Sequence, residues 1–244
     1  MPRKARIAIS TVCHRCLAAI YQVANALEIT DVELFPTRRT TLGEIQSFLE
    51  RSGLGIAGIH LPFRPFTASI CDFIREEKRV REKVLGPVLQ YIYGSFENSP
   101  AVGLAQSLDP DYVVVHHGLI ETPWLLQSLE GLPLAVENER PDGFCQNWQT
   151  LPEIGKLARD HGLPTVLDTG HHKVTAKDID SMWPIRVIHV KSPSHLTRDV
   201  LDELRRRGYD GWFTIEFPTS MFGLGTLRDD AAEVIDRLRK AALV

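Results

Sequence analysis

The chain has 244 residues, a formal net charge of −3 at pH 7 and a pI of about 6.3. Its apolar fraction of 43% is typical of a globular protein whose core is large enough for one α/β barrel. The balanced charge excludes a chain-wide basic surface for nucleic acid or membranes, and no apolar run approaches the roughly 18 residues that span a bilayer. The basic start leads into a strand rather than a signal peptide, so we expect a cytoplasmic protein without a membrane partner.

Short apolar runs alternate with amphipathic segments along the chain. The apolar runs predict eight β-strands, over residues 6–11, 31–35, 56–61, 112–116, 134–137, 165–168, 186–189 and 212–216. The segments between them predict helices over residues 16–27, 41–52, 123–129, 151–161, 176–182, 198–207 and 229–242. Thr41 is the predicted N-cap of the second helix, and a longer helical insertion over about 69–108 follows the third strand.

The strict alternation of strand and helix implies a parallel sheet. Eight such units in one chain of this length favour a closed barrel over an open doubly wound sheet, because closure also removes exposed edge strands. We therefore predict an α/β protein built as a single (β/α)8 TIM barrel domain over residues 1–244. Gly223-Leu-Gly225 lacks the third glycine of a dinucleotide fingerprint and follows the last strand, so we expect no nucleotide cofactor.

Two of the four cysteines, Cys13 and Cys16, have C-x-x-C spacing. This spacing is compatible with a redox pair or with half of a zinc site. A structural zinc site needs four ligands, and the sequence has no second C-x-x-C pair. We therefore interpret the two cysteines as reduced thiols at a strand-to-helix turn.

Several predicted strands end on a carboxylate or an imidazole, and this is the main functional signal in the sequence. Strands five to eight end on Glu137, Asp168, His189 and Glu216. The C-terminal strand ends of a barrel converge on one mouth, where three buried carboxylates would repel one another. A divalent cation removes this repulsion, and these ligand types suit Mn²⁺, Mg²⁺, Co²⁺ or Zn²⁺. For any one of these residues taken alone, an ordinary ion pair or helix cap is the simpler interpretation.

Histidines form a second group of candidates on the same face. His60 ends strand three, His116 ends strand four, and His171 follows Asp168 in the sequence Asp168-Thr-Gly-His171. Because these positions share the predicted mouth, we expect the three histidines to bind a second metal or the substrate. A lone histidine is more often a core or surface residue, which is how we interpret the others: His161, and the outward-facing His117 and His172.

Four segments resemble the xylose isomerase-like TIM barrel superfamily: residues 134–139 (LAVENE), 166–171 (VLDTGH), 188–191 (IHVK) and 208–216 (GYDGWFTIE). The resemblance covers nearly the whole chain, from residues 31–33 to the last strand. The superfamily contains sugar and sugar-phosphate isomerases and epimerases, as well as apurinic-site nucleases of the endonuclease IV type. The resemblance is specific for the fold and the metal site, and much less so for the substrate.

The epimerases of this superfamily provide the main functional hypothesis. They hold one metal with residues matching Glu137, Asp168, His189 and Glu216, and the two glutamates exchange protons next to a carbonyl. The resemblance therefore implies a divalent-metal-dependent isomerase or epimerase of a sugar, sugar phosphate or similar compound, working through a metal-stabilised enediolate. His171 would contact the substrate. Weaker candidates for lining the pocket are Glu33, Lys191 and Arg140, although surface salt bridges account equally well for the two cations.

The nuclease branch provides the alternative, an endonuclease IV-like multi-zinc phosphodiesterase. Its three-zinc site uses positions matching His60, His116, Glu137, Asp168, His171, His189 and Glu216. It also needs an Asp-x-His pair after strand seven, where this chain has Lys191-Ser-Pro-Ser-His195. The missing aspartate argues against a third metal, and the acidic pI disfavours DNA. We therefore favour a small carbohydrate-like substrate over nucleic acid.

Three questions stay open at this level. A metal-binding barrel that has lost catalysis is a further alternative, because this fold changes function freely. The loop over residues 219–226 could hold a phosphate or act as a lid. The sequence also leaves open whether the chain forms a homo-oligomer.

Overall fold

The computed structural model describes residues 4–14, 16–37, 39–61, 100–120, 126–127, 129–138, 150–217 and 224–244. Within these ranges eight parallel strands close into a barrel in chain order, and the eighth strand pairs with the first. The predicted α/β class and the (β/α)8 architecture are therefore confirmed. No helix in the described ranges is both long and apolar enough to cross a bilayer.

The strands lie close to their predicted positions. They are β1 (Arg6–Ser10), β2 (Asp31–Leu34), β3 (Gly55–His60), β4 (Tyr112–His116), β5 (Leu134–Glu137), β6 (Thr165–Asp168), β7 (Ile185–Val190) and β8 (Trp212–Ile215). The predicted bounds of β4, β5 and β6 are confirmed, and the other strands differ by one residue at one or both ends. Buried apolar runs are thus sufficient to locate strands that are covered on both faces.

The helices pack around the barrel. They are α1 (Leu17–Ala26), α2 (Leu42–Ser52), α3 (Ala101–Leu108), α4 (His117–Ile120), α5 (Leu151–Asp160), α6 (Ala176–Met182), α7 (Arg198–Arg206) and α8 (Leu224–Lys240), with 3-10 turns at Thr11–Cys13 and Pro193–His195. Thr41 is the N-cap of α2 as predicted, since its hydroxyl accepts from the Glu44 amide while the Glu44 carboxylate accepts from the Thr41 amide.

Two helices differ from the prediction. The last helix, α8, begins at Leu224 instead of residue 229, so residues 224–226 are helical and not part of a loop. Its buried Leu227 extends the apolar face towards the N-terminus, which explains the early start despite the helix-weakening Gly225. The short helix α4 directly after β4 was not predicted.

Some predicted features lie outside the described residues. These are most of the insertion over 69–108, most of the helix over 123–129, Arg140, and residues 218–223 of the loop after β8. The described end of the insertion contains α3. The assignment of residues 1–244 to one domain stays a prediction.

Strand alternation directs the functional side chains into the barrel. Small and aromatic side chains fill its interior, namely Ala8, Ala57, Tyr112, Val114, Ala135, Val166, Val187 and Trp212. Side chains two positions apart on a strand share a face. Four inward positions are therefore each followed by a polar residue nearer the C-terminal mouth, in the pairs Val114 and His116, Ala135 and Glu137, Val166 and Asp168, and Val187 and His189.

A tyrosine forms a polar floor below the mouth. A Cβ on Gly58 would lie 2.1 Å from the Tyr112 ring, so only glycine leaves room for this ring inside the barrel. The Tyr112 hydroxyl donates to Glu33 Oε2 (2.9 Å) and also lies 2.8 Å from Thr214 Oγ1. Burial, together with the Glu33 charge, raises the pKa of Tyr112 well above its usual value. The floor is therefore a neutral hydrogen-bond donor.

Candidate metal centre

Four side chains at the ends of β5, β6, β7 and β8 meet at the barrel mouth. Glu137, Asp168, His189 and Glu216 are all buried, and their ligand atoms lie within 4.8 Å of one another. His189 Nδ1 is 2.7 Å from Glu137 Oε1 and 2.8 Å from Glu216 Oε2. The register contributes directly, because Asp168 and His189 are paired across β6 and β7. The structure thus brings together the four residues that the sequence predicts as one ligand set.

The donor set fits a divalent cation. Asp168 Oδ2 and Glu216 Oε2 are buried and accept no well-formed hydrogen bond from the described residues. Asp168 Oδ2 has ion-pair contacts at 3.0 Å to Lys191 Nζ and 3.4 Å to His171 Nε2, and Glu216 Oε2 has one at 2.8 Å to His189 Nδ1. Buried carboxylate oxygens with free lone pairs are costly unless a cation takes them. Three carboxylates and one imidazole are ligands that Mn²⁺, Mg²⁺, Co²⁺ and Zn²⁺ accept.

His189 is held between carboxylates on both ring nitrogens. Its Nε2 lies 2.8 Å from Glu33 Oε2, and Glu33 is fully buried between His189 and Tyr112. Burial alone would lower the pKa of His189, but the charges of Glu33, Glu216 and Glu137 outweigh it and raise this pKa well above the usual value. Glu33 therefore orients the imidazole from below, and the metal-free centre carries an imidazolium.

The second oxygen of Glu137 faces two histidines. Glu137 Oε2 is 3.1 Å from His60 Nε2 and 3.4 Å from His116 Nε2. His60 Nδ1 lies 2.9 Å from the Leu61 carbonyl, to which it donates, so Nε2 is the nitrogen available for a ligand. Burial raises the pKa of Glu137, but the nearby charges of His189 and His60 outweigh this effect and hold it well below its usual range. Glu137 thus stands between two groups of ligand atoms.

His171 turns back over the mouth, as its spacing from Asp168 predicts. Its Nδ1 lies 2.6 Å from the Asn138 carbonyl, and its Nε2 is 3.4 Å from Asp168 Oδ2. The buried Asn138 side chain accepts from the Asp168 amide (2.7 Å) and donates to the Asp168 carbonyl (3.2 Å). The sequence interpretation missed Asn138. A buried amide that directly follows the ligand Glu137 is the signal that could have found it.

Lys191 is a part-buried member of the centre. Its Nζ lies 2.5 Å from Glu216 Oε1 and 3.0 Å from Asp168 Oδ2, with 19% of the side chain exposed. Burial would lower its pKa, but the charges of Glu216 and Asp168 outweigh this and raise it. The ion pairs of Lys191 are thus part-buried rather than exposed, because its aliphatic stem packs against Gly170 and carries the ammonium inward.

Two further histidines have positions that bear on the alternatives. His195 Nδ1 lies 3.1 Å from Thr169 Oγ1, and none of the ligand groups within the described ranges includes His195. His117 is buried, so the expectation that it faces outward is wrong. It begins α4, which packs against β4 and β5 and keeps the imidazole inside.

The cysteine pair stands apart from the ligand groups. Cys13 and Cys16 are free thiols, the first buried and the second exposed, as the interpretation of their spacing predicts. Cys13 Sγ donates to the Ile215 carbonyl at 3.3 Å, directly behind Glu216. Burial and the Glu216 charge raise the pKa of Cys13 to about 12. The thiol is therefore protonated at neutral pH and packs in the core, and neither ligand group among the described residues includes it.

Known proteins resemble this chain in their three-dimensional structure, whereas sequence comparison finds no match. No family model matches the chain, and no curated protein matches it. A D-tagatose 3-epimerase-like protein is 17% identical with a TM-score of 0.59, covering 97% of this chain and 99% of its own. Endonuclease IV from Thermus thermophilus is 18% identical with a TM-score of 0.57, covering 96% and 99%.

A third structural relative bears a family name. It is a xylose isomerase-like TIM barrel protein from Mycobacterium smegmatis in complex with magnesium, 12% identical, with a TM-score of 0.54 and coverage of 98% and 97%. The predicted resemblance is thus confirmed at the level of the fold: the chain has the fold of xylose isomerase-like barrels, which the epimerase-like and endonuclease IV structures share.

Proposed function

We propose that the chain is a divalent-metal-dependent isomerase or epimerase of a small carbohydrate-like carbonyl compound. The main support is that Glu137 Oε1 and Glu216 Oε2 both lie close to His189 Nδ1, at 2.7 and 2.8 Å. Two carboxylates from different strands therefore border one cation position. The likeness of the fold to a D-tagatose 3-epimerase-like protein supports this assignment.

The two glutamates carry the proposed proton transfer. One carboxylate removes the proton from the carbon next to the substrate carbonyl, and the other delivers a proton to the neighbouring or opposite position. A bound cation would supply the positive charge that acidifies this carbon–hydrogen bond. Burial raises the pKa of Glu216, but Lys191 and His189 outweigh it and hold this pKa well below its usual value. Both glutamates are therefore ionised in the metal-free protein, so either can remove the proton, and the other must take up a proton from solvent before it can deliver one.

The other side chains have supporting roles in this proposal. Glu33 fixes the His189 ring by the 2.8 Å contact to Nε2, which leaves Nδ1 facing the cation position. Asn138 fixes the backbone of Asp168 through its two hydrogen bonds. His171, at the rim, is positioned to contact a substrate hydroxyl. We propose Mn²⁺, Mg²⁺, Co²⁺ or Zn²⁺ as the cation, and the magnesium in the Mycobacterium smegmatis relative supports a hard cation.

The test is hydrogen exchange into substrate. The Mn²⁺-loaded protein is incubated with a panel of ketoses, aldoses and their phosphates in deuterated water, and carbon-bound deuterium is measured by NMR. We expect exchange with at least one compound and its loss in Glu216→Gln. Glu233→Gln, an exposed glutamate on α8, is the matched control and should exchange like the wild type. No exchange across the panel with metal bound would refute the proposal.

A second candidate function is a two-metal phosphodiesterase. It is favoured by the contacts of His60 and His116 with Glu137 Oε2, at 3.1 and 3.4 Å, because a carboxylate with ligands on both oxygens can bridge two metals. Two metals per chain by elemental analysis, together with cleavage of abasic DNA or a model phosphodiester, would favour it. One metal per chain with neither exchange nor hydrolysis would instead indicate a barrel that binds metal without catalysis.

A further inference from the structure

Lys191 occupies the position of a cation in the carboxylate cluster. Its Nζ contacts Glu216 Oε1 at 2.5 Å and Asp168 Oδ2 at 3.0 Å. Both residues belong to the four-residue group whose ligand atoms lie within 4.8 Å of one another. The ammonium therefore lies on two of the side chains that a divalent cation would need.

The chain is shaped to admit this lysine. A Cβ on Gly170 would lie 2.4 Å from Lys191 Cγ and 2.9 Å from its Cβ, so the glycine provides the space through which the stem passes. The Lys191 amide also donates to Thr169 Oγ1 at 3.3 Å, which ties the start of the stem to the loop after β6. The inward position of Lys191 is thus built into the packing of two neighbouring loops.

The Lys191 ammonium balances part of the negative charge in the centre. Four buried carboxylates converge in and below the centre, those of Glu33, Glu137, Asp168 and Glu216. Unbalanced buried charge is strongly unfavourable, so a metal-free centre needs internal cations. Lys191 supplies one at the mouth, where the lysine stem has the length and freedom to move outward towards solvent.

We propose that Lys191 is a tethered cation that holds the place of the metal and is displaced when a divalent cation binds. The ammonium stabilises the metal-free centre by its contacts with Asp168 and Glu216. It therefore lowers the affinity of the centre for metal and selects against weakly bound ions. Displacement moves the ammonium to the rim, next to the bound substrate. The inference rests on the metal centre of the proposed function and not on the reaction itself.

The test compares Mn²⁺ affinity, measured by electron paramagnetic resonance of the free ion, in the wild type and variants. Lys191→Met should bind Mn²⁺ roughly 10-fold or more tightly than the wild type, because the ion no longer competes with a resident charge. Its metal-free melting temperature should fall and be restored by Mn²⁺. Lys173→Met removes an exposed lysine from the loop after β6 and serves as the control for long-range charge, with unchanged affinity.

A second variant and a labelling measurement test the same inference independently of Lys191→Met. Lys191→Gln keeps a polar side chain without the charge and should tighten Mn²⁺ binding in the same direction, which gives a second measurement if Lys191→Met does not fold. In the wild type, amine labelling of Lys191, read by peptide mass spectrometry, should increase when Mn²⁺ is added. Unchanged labelling, or variants that bind Mn²⁺ no more tightly than the wild type, would overturn the inference.

The outcomes separate this inference from the proposed function. If the wild type and both variants bind no Mn²⁺ at millimolar concentration, the metal centre fails and the inference fails with it. If the wild type binds Mn²⁺ and the variants bind it no better, the inference alone fails. If the affinities change as expected but no substrate exchanges hydrogen, the inference stands and the isomerase proposal fails.

Discussion

The two oxygens of Glu137 face two different halves of the centre. Oε1 faces the carboxylate half, formed with Asp168, His189 and Glu216, while Oε2 faces the histidine half, formed with His60 and His116. The carboxylate half places three carboxylates around one imidazole, whereas the histidine half places two imidazoles against one carboxylate oxygen. A cation is therefore attracted more strongly by the charge of the carboxylate half than by that of the histidine half. We expect the carboxylate half to fill first.

Removing the residue shared by both halves should have the largest effect. Glu137→Gln eliminates a proposed proton acceptor and a ligand, so we expect substrate hydrogen exchange to fall by roughly 1000-fold. It also removes the carboxylate that pairs with His60, while His189 keeps Glu33 and Glu216, and this should lower the free energy of unfolding by about 3 kcal/mol in urea titrations. The exposed Glu130→Gln is the control. An active Glu137→Gln protein would show that the two halves work independently.

Substitution within one half should distinguish the two candidate functions. Asp168→Asn should reduce Mn²⁺ binding and hydrogen exchange by roughly 100-fold, because Asp168 belongs to the carboxylate half. His116→Asn, in the histidine half, should keep one metal per chain and lose less than about 10-fold in exchange. The measurements are elemental analysis and deuterium incorporation on the same preparations. The opposite ranking would favour the two-metal phosphodiesterase.

The two halves should also differ in how pH affects metal binding. The pKa of His189 in the metal-free protein is raised by Glu33, Glu216 and Glu137, against the opposing effect of burial. A metal ion that takes Nδ1 must displace a proton, so affinity should rise by up to about 10-fold per pH unit until the raised pKa is passed. Calorimetry in buffers of different ionisation enthalpy would measure the released proton. Binding without proton release would place the metal away from His189.

The stability of the metal-free protein should change with pH in the opposite direction. Because the pKa of His189 is higher in the folded chain than in the unfolded chain, its stabilising contribution is complete below the unfolded pKa of about 6.5. It is lost as the pH rises through the folded value. Raising the pH should therefore widen the gap between the melting temperatures of the metal-bound and metal-free proteins.

The sequence predicts the carboxylate half well because its determinants are local. Inward direction follows from period-two alternation, and the mouth position follows from the strand end, so Val187 and His189 or Val166 and Asp168 can be assigned without any long-range contact. The bounds of β4, β5 and β6 follow from their buried apolar runs in the same way. Because the barrel is closed, the C-terminal ends of β5, β6, β7 and β8 converge on one mouth.

The contacts across the barrel could not be predicted in this way. His189 meets Glu33 over a separation of 156 residues, and this pairing depends on the stagger of the closed barrel. The register shift between Val32 and Glu33 alters the local pairing of β2 with β3 as well. The inward course of Lys191 depends on a glycine in a neighbouring loop, and Leu224 is helical because Leu227 packs in the core. Each of these is a tertiary effect with no local sequence pattern.

The smallest expected effect concerns the thiol behind the carboxylate half. Cys13 is buried and its pKa is raised to about 12, while Cys16 is exposed. Since the thiolate is the reactive form, iodoacetamide at pH 8 should label Cys16 and leave Cys13 unmodified in the folded protein. Peptide mass spectrometry after labelling with and without urea would measure both sites.

The labelling of Cys13 also reports on the rigidity of the carboxylate half. Cys13 Sγ donates to the carbonyl of Ile215, the residue before Glu216, so exposure of this thiol requires the end of β8 to move. If Lys191 holds the metal-free centre together, its Lys191→Met variant should label Cys13 faster than the wild type, and Mn²⁺ should restore protection. A wild-type rate in that variant without metal would mean that the carboxylate half keeps its shape without the lysine ammonium, held by the His189 imidazolium alone.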